Sequence, residues 1–211
     1  MSIVEQLSAL GVVPVIKIDS AKDAIPLAQA LKNSGLCAAE ITFRTDAAEE
    51  AIRLIAKNFP DFLIIAGTVL TPEQADTAMA AGAAVIVSPG TNPAVVRHCL
   101  DKGYPVIPGV CTPSEVETNL AMGLTYLKFF PAEAAGGVKM INAMAAPYTK
   151  VKFMPTGGIN AGNIGSYLAS KAVFACGGSW MVPGDKIKAG QFDEIEALTR
   201  EAVQVVKECK K

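Results

Sequence analysis

The chain of 211 residues is 51% hydrophobic and only 6% aromatic, so it can bury a sizeable aliphatic core without disulfides or structural metals. Its net charge is -1, and no run of basic residues occurs. Both features argue against nucleic acid or an anionic membrane as the main partner. Any anion that this protein binds must therefore be small and held locally.

The opening segment, MSIVEQLSAL, has neither the basic start nor the apolar stretch of a signal peptide, and no apolar run reaches the roughly 18 residues of a membrane helix. His98 is the single histidine, which excludes a three-histidine metal site and a histidine-based triad. The cysteines lack CxxC spacing and are expected to be reduced thiols in a cytoplasmic protein; they are Cys37, Cys99, Cys111, Cys176 and Cys209.

Short apolar runs alternate with amphipathic stretches along the whole chain. In chain order the predicted strands are VVPVIKI (12–18), AAEITF (38–43), FLIIAGTV (62–69), AAVIVSP (83–89), PVIPGV (105–110), LTYLKFFP (124–131), KVKFMPTGG (150–158) and AVFACGGSW (172–180). Helical patterns lie between them, such as AKDAIPLAQALKNSG, DAAEEAIRLIAKNF, TPEQADTAMAAG, TPSEVETNLAMG and DEIEALTREAVQVVKECK.

The ends of these helical patterns carry capping residues. Thr71-Pro72 and Thr112-Pro113 are expected N-termini, with proline in the first helical position. The glycines expected at left-handed C-terminal caps are Gly35, Gly82, Gly103 and Gly123. Eight strand–helix units without a composition break predict an α/β fold of one domain over residues 1–211, a closed parallel (β/α)8 TIM barrel. The alternative is a doubly wound sheet, but that fold usually shows a GxGxxG turn after its first strand.

In such barrels the chemistry gathers at the carboxyl ends of the strands. On the second strand, Glu40, Thr42 and Arg44 alternate with apolar residues and are expected to share the inward face. Charged groups inside a barrel are costly unless they are paired or functional. The alternative interpretation is a Glu40–Arg44 salt bridge that only fills space.

Lys128 stands in the middle of the apolar run LTYLKFFP. A lysine held in an apolar barrel loses hydration, which favours the free amine that can attack a carbonyl. Glu40 could then move protons, and Arg44 could clamp a substrate carboxylate with two hydrogen bonds. A lysine whose amine reaches solvent at the strand end is an equally good interpretation of this spacing.

Paired glycines follow the seventh and eighth predicted strands, in PTGGI and CGGSW. Glycines let backbone N–H groups approach a ligand closely, and the loops after strands 7 and 8 are the usual phosphate site of this fold. The predicted anion site consists of Thr156, Gly157, Gly158, Gly178 and Ser179. Thr68 ends the third strand and is placed at the mouth.

Seven segments together resemble the class I 2-keto-3-deoxy-6-phosphogluconate (KDPG) aldolases, many of which also act as 4-hydroxy-2-oxoglutarate (KHG) aldolases. The segments are EITFRT, AGTVLTPEQ, IVSPG, PGVCTPSE, LKFFPAEAAGG, PTGGI and GGSWMVP. They follow the family's order, and the likeness runs from about residue 12 to 183. The resemblance implies a homotrimer of (β/α)8 barrels, in agreement with the strand count.

The resemblance also implies roles for individual residues. Lys128 is implied as the Schiff-base residue and Glu40 as the general acid/base. The residues implied around the pyruvate moiety are Arg44, Thr68, Pro89 and Phe130, while the glycines and Ser179 match the phosphate site. Lys17 stands where many relatives carry arginine, and its role stays open between a phosphate contact and a cation at the barrel mouth.

The expected reaction is the reversible cleavage of KDPG to pyruvate and glyceraldehyde 3-phosphate, without metal or other cofactor. An aldolase for KHG or for the galactonate epimer of KDPG is the nearest alternative. A phosphosugar isomerase or epimerase would also need a phosphate site, but metal-dependent epimerases use several histidines. A non-catalytic assembly protein would give no reason to bury Glu40, Arg44 and Lys128 together.

Overall fold

The computed structural model describes residues 1–210, in which strands and helices alternate. Lys211, the last residue of the predicted domain, lies outside the described residues. The strands are β1 (Val12–Ile16), β2 (Ala38–Thr42), β3 (Leu63–Gly67), β4 (Val85–Val87), β5 (Val106–Ile107), β6 (Gly109–Val110), β7 (Tyr126–Phe129), β8 (Lys152–Pro155) and β9 (Cys176–Gly178). The helices are α1 (Ile3–Leu10), α2 (Ala24–Asn33), α3 (Ala48–Asn58), α4 (Pro72–Ala81), α5 (Pro93–Asp101), α6 (Pro113–Ala121), α7 (Gly137–Ala145), α8 (Ile164–Leu168), α9 (Gly184–Lys188) and α10 (Phe192–Cys209).

The strands pair in parallel and form a curled sheet with helices outside it. One sheet has the order β5-β4-β3-β2-β1-β9 and the other has the order β6-β7-β8. The predicted fifth strand is divided into β5 and β6 at Pro108, which has no N–H for the ladder. Two isolated bridges, Phe153–Val173 and Thr156–Gly177, link the β8 side to the β9 side. The predicted parallel strand–helix architecture is confirmed, with its strands paired as two sheets.

Apolar side chains fill two layers, as expected for parallel strands that are buried on both faces. The larger layer lies between the sheet and its helices, and the smaller one lies inside the curl. Leu7 of α1 belongs to the inner layer, and Ile3 and Val4 pack against it. Helix α1 therefore covers the amino ends of the strands and leaves their carboxyl ends to the site.

The predicted helix termini agree with the structure. Thr71 and Thr112 are N-caps, each accepting a hydrogen bond from a backbone N–H three residues later. The predicted C-terminal glycines all have positive φ; they are Gly35, Gly82, Gly103 and Gly123. Helix α1, which was absent from the predicted helices, begins with a capping box between Ser2 and Glu5. Across residues 1–210, no helix has the length and apolar character needed to cross a membrane.

Candidate active site

A cavity of about 340 Å³ opens among the carboxyl ends of the strands. All the site residues predicted from the sequence line it: Glu40, Arg44, Thr68, Pro89, Lys128, Phe130, Thr156, Gly157, Gly158, Gly178 and Ser179. The remaining lining comes from Val15, Thr42, Ile159 and Gly177. The curl of the sheet thus brings together residues from seven separate stretches of the chain, as parallel strands of this architecture do at their carboxyl ends.

The centre of the cavity is an ion pair between strands β7 and β2. Nζ of Lys128 donates a hydrogen bond of 3.0 Å to Oε1 of Glu40. Lys128 is 4% exposed and Glu40 is 0% exposed, so each charge depends on the other for compensation. Lys128 is therefore not a lysine whose amine reaches solvent at the strand end. Glu40 is paired with Lys128 rather than with Arg44.

The second carboxylate oxygen of Glu40 has no hydrogen-bond donor among the described residues. This atom, Oε2, is buried. A buried carboxylate oxygen normally has a donor, because desolvation of the unpaired charge is costly. Since Glu40 lines the cavity, a bound hydroxyl or water can supply that missing donor.

Arg44 lies outside strand β2, contrary to the prediction that it shares an inward face with Glu40. The strand ends at Thr42, and the backbone then turns, with the N–H of Arg44 donating to the carbonyl of Thr42 at 2.8 Å. Arg44 is exposed, and its Nε donates to Oγ1 of Thr42 at 3.0 Å. Thr42 in turn donates to the carbonyl of Ile16 at 2.8 Å. The guanidinium is thereby held at the mouth of the cavity rather than inside it.

Gly67 makes room for the Glu40 carboxylate and was missed by the sequence analysis. A Cβ on Gly67 would lie 2.2 Å from Oε1 of Glu40. The signal was a glycine inside a strand, in AGT, which often marks close approach of another group. The next residue, Thr68, has φ of 58°, an uncommon conformation for a residue that is not glycine, and one that clusters at functional sites.

Two residues form apolar walls near the amine. Phe130, which follows β7, is 37% exposed, and the centroid of its ring lies 5.7 Å from Nζ of Lys128. Pro89 follows β4, and its carbonyl oxygen would lie 2.1 Å from a Cβ on Gly109. Gly109 is paired with Lys128 in the β6–β7 ladder. The glycine therefore allows the Pro89 loop to pack directly beside the strand that carries the lysine.

The loop after β8 presents backbone N–H groups to the cavity. Gly157 and Gly158 have φ of 102° and 80°, a left-handed conformation that glycine adopts without steric cost. In the described chain, the N–H groups of Gly158 and Ile159 have no hydrogen-bond partner, and both residues line the cavity. Successive free N–H groups of this kind form a concave anion site. Exposed Ser179, from the loop after β9, lines the same cavity.

Lys17 is turned to a surface ion pair. Its Nζ lies 2.7 Å from Oδ1 of Asp19, and Lys188 lies 2.9 Å from Oδ2 of the same carboxylate. Hydrogen bonds from Lys17 and then Lys188 lower the pKa of Asp19. Lys17 is not part of the cavity lining, so the interpretation of a cation beside the mouth fits its position better than a direct ligand contact.

The sequence of the chain is similar to those of known aldolases. The family model described as "Aldolase: KDPG and KHG aldolase" matches residues 3–198. The chain belongs to this aldolase family. A 2-dehydro-3-deoxy-phosphogluconate aldolase of Haemophilus influenzae is 51% identical over 205 residues, which cover 97% of each chain. Family membership confirms the predicted aldolase and sets aside the isomerase, epimerase and assembly-protein alternatives.

Two solved KDPG aldolases have similar structures. The Legionella pneumophila protein, with pyruvate captured at low pH as a covalent carbinolamine intermediate, superposes with a TM-score of 0.91 at 42% identity, covering 95% of this chain and 97% of the other. The Zymomonas mobilis protein with 3-phosphoglycerate gives a TM-score of 0.87 at 37% identity, with coverage of 95% and 94%. The likeness to these aldolases extends over nearly the whole chain.

Proposed function

We propose that this aldolase forms a Schiff base through Lys128 and reversibly cleaves KDPG to pyruvate and glyceraldehyde 3-phosphate. The observation that carries this proposal is the buried pair of Lys128 and Glu40, 3.0 Å apart, in a cavity that is also lined by Arg44 and by the glycine loops after β8 and β9. The carbinolamine of pyruvate in the Legionella protein supports the same chemistry. Cleavage of KHG to pyruvate and glyoxylate would use the same amine and needs no phosphate site.

The first steps join substrate to enzyme. Lys128 passes a proton to Glu40 along their hydrogen bond, and the free amine adds to the C2 carbonyl of the substrate. The added nitrogen loses a proton, the carbonyl oxygen takes it up, and the oxygen becomes the hydroxyl of the carbinolamine. Glu40, directly or through a water, protonates that hydroxyl, which leaves as water while the nitrogen lone pair forms the iminium.

Cleavage then uses the iminium as the electron acceptor. Glu40 takes the proton of the C4 hydroxyl, the C4–O bond becomes a carbonyl, and the C3–C4 electrons move toward the iminium nitrogen. The aldehyde departs and leaves an enamine on Lys128. Protonation at C3 gives the pyruvate imine, and water hydrolyses it to pyruvate and the free lysine. The iminium supplies the polarisation that a metal ion would otherwise provide, so the proposed reaction needs neither metal nor other cofactor.

The remaining lining residues orient the substrate in this proposal. Arg44 and Thr68, near the carboxyl ends of β2 and β3, bind the carboxylate of the pyruvate half. Phe130 and Pro89 pack against its carbon atoms. The phosphate of KDPG lies against the two glycine loops, that is, against residues Thr156, Gly157, Gly158, Gly178 and Ser179.

Several features of the assembled protein also belong to this proposal. The two bridges between the β8 and β9 sides, and the division of one strand at Pro108, support a single domain over residues 1–211 built as a closed eight-stranded barrel. A homotrimer and a cytoplasmic location stay predictions from the sequence. The preferred substrate is the finer question, and kcat/KM values for KDPG, its galactonate epimer and KHG, measured side by side, would rank them.

Trapping with borohydride tests the Schiff base. Borohydride added with pyruvate should reduce the imine, inactivate the enzyme and leave a 1-carboxyethyl group on Nζ of Lys128, identified by peptide mass spectrometry. Lys152, on the neighbouring strand β8, donates to the carbonyl of Lys171 and serves as the internal control. Labelling of Lys17 or Lys152 instead, or of no lysine, would refute the proposed nucleophile.

A further inference from the structure

Three consecutive carbonyl groups at the start of the loop after β8 are anchored by hydrogen bonds. The carbonyl of Thr156 accepts from the N–H of Ala132 at 2.8 Å, and that of Gly157 accepts from the N–H of Glu133 at 3.0 Å. The third carbonyl, of Gly158, accepts from Nδ2 of Asn163 at 3.0 Å. It also accepts from Nδ2 of Asn160 at 3.2 Å. The first two anchors are backbone groups of the β7–α7 loop, whereas the third consists of side chains.

These anchors determine where the neighbouring N–H groups point. In a planar trans peptide, the C=O of one residue and the N–H of the next point in opposite directions. Anchoring the carbonyls of residues 156, 157 and 158 therefore turns the N–H groups of residues 157, 158 and 159 away from the anchors. Of these, the N–H groups of Gly158 and Ile159 are unpartnered in the described chain, and both residues line the cavity. Because glycine rotates easily, a peptide without its anchor can flip and present its oxygen instead.

Asn163 has the larger share in the side-chain anchor. Its Oδ1 accepts from the N–H of Asn160 at 2.8 Å, while its Nδ2 holds the Gly158 carbonyl. Asn163 is half-buried and Asn160 is exposed. Loss of the Asn163 side chain would therefore release the Gly158 carbonyl directly and also loosen the segment that carries Asn160.

We propose that Asn163 is a positioning residue for the phosphate end of the substrate: it fixes the Gly158–Ile159 peptide so that the loop offers N–H groups, not a carbonyl oxygen, to the anion. The inference rests on the proposed function, because it assumes that the phosphate lies against this loop. Asn163 does not contact the reacting carbon atoms in this scheme. It should matter for phosphorylated substrates and not for substrates that lack the phosphate.

The test compares two substrates in the full-length enzyme. Asn163→Ala should raise KM for KDPG roughly tenfold, with kcat changed little. This is the effect expected when the loop loses one N–H hydrogen bond to the charged phosphate. The kinetic constants for KHG should stay near those of wild type. Inorganic phosphate, tested as a competitive inhibitor, should bind the variant more weakly by a similar factor. Asn163→Asp keeps the acceptor for the Asn160 N–H but loses the donor, so it should show at least the same loss.

A matched control and the contrary outcomes complete the experiment. Asn58→Ala removes an asparagine amide that donates to a helix carbonyl, of Leu54, at 2.8 Å, and it should leave both substrates unaffected. Equal losses on KDPG and KHG in the Asn163 variants, or no loss on KDPG, would overturn the role of Asn163 alone, provided that phosphate still inhibits wild type. If inorganic phosphate does not compete with KDPG in wild type, the phosphate site itself is wrong and this inference falls with it.

Discussion

Glu40 and Lys128 form a hydrogen bond of 3.0 Å although 88 residues separate them in the sequence. Their strands, β2 and β7, lie in different sheets, so only the curl of the structure brings the two charges together. Within residues 1–210, Lys128 is the hydrogen-bond partner of Glu40 Oε1, and Oε2 has none. Removing either charge would leave the other buried and uncompensated, so activity and stability must be measured together in variants of this pair.

The first prediction concerns Glu40 as the group that moves protons. Glu40→Gln keeps the volume of the side chain and an acceptor for Lys128 but removes the base. General acid–base assistance is typically worth about 10²–10⁴-fold, and kcat for KDPG cleavage should fall by that order. The thermal midpoint should be measured on the same sample, because a purely structural Glu40 would lower it while sparing kcat in the folded fraction.

The sequence signals for Lys128 and for the glycine pairs were local, and the resemblance to the KDPG aldolases assigned roles to them. A lysine inside an apolar run and glycine pairs after two strands can be recognised within ten residues of chain. The hydrogen bond between Lys128 and Glu40 is not local, because it joins two strands that are far apart in the sequence. No sequence pattern gives the distance between those strands. The same limit applies to Gly67, whose missing Cβ matters only because Glu40 lies across the ladder.

Errors at strand ends have a similar origin. Arg44 continues the alternating pattern of the second strand, but the backbone turns after Thr42, and alternation has no meaning beyond the last ladder pair, Thr42–Gly67. Helix α1 lies outside the repeating strand–helix pattern, so periodicity alone did not indicate that Leu7 would fill the inner core. In both places the tertiary contacts, rather than the local pattern, determined the structure.

The second prediction uses Gly67 as an independent test of the Glu40 geometry. Gly67→Ala places a Cβ 2.2 Å from Oε1 of Glu40, so the carboxylate must move away from Lys128. We expect kcat to fall by about 10²-fold or more, the lower range for loss of acid–base assistance. Gly184→Ala is the matched control, because a Cβ there meets no atom within 4 Å, and it should retain wild-type kcat. Wild-type kcat in Gly67→Ala would mean that the position of Glu40 does not limit the reaction.

The third prediction concerns the buried thiols. Burial raises the pKa of Cys176 from its ordinary value of 9.0 to about 12, and burial followed by the charge of Asp76 raises that of Cys99 to about 11. A disulfide reagent at pH 8 should therefore modify exposed Cys209 in the native protein and leave Cys99 and Cys176 intact until denaturation. Rapid modification of either buried thiol would contradict their placement.

The same shifts have a consequence for stability at high pH. A raised pKa means that the folded state keeps the thiol proton after the unfolded chain has lost it. The contribution of the Cys176 thiol to the free energy of unfolding is therefore fully present below the unfolded pKa of about 9. It is lost as the pH rises toward the folded pKa of about 12. Cys176→Ala should weaken this dependence between pH 9 and pH 11 in denaturant titrations.

The last prediction asks whether the glycine loops serve the phosphate, and Ser179 is the cleanest position for the test. A Cβ on Gly178 would lie 2.0 Å from the Trp180 ring, and one on Gly158 would lie 2.6 Å from Glu133, so variants of either glycine would disturb protein contacts as well as any ligand. Ser179 is exposed and lines the cavity. Ser179→Ala should lower kcat/KM for KDPG roughly 10- to 100-fold, as expected for one hydrogen bond to a charged group. The same variant should cleave KHG almost as well as wild type, and equal losses on both substrates would assign these loops a structural role.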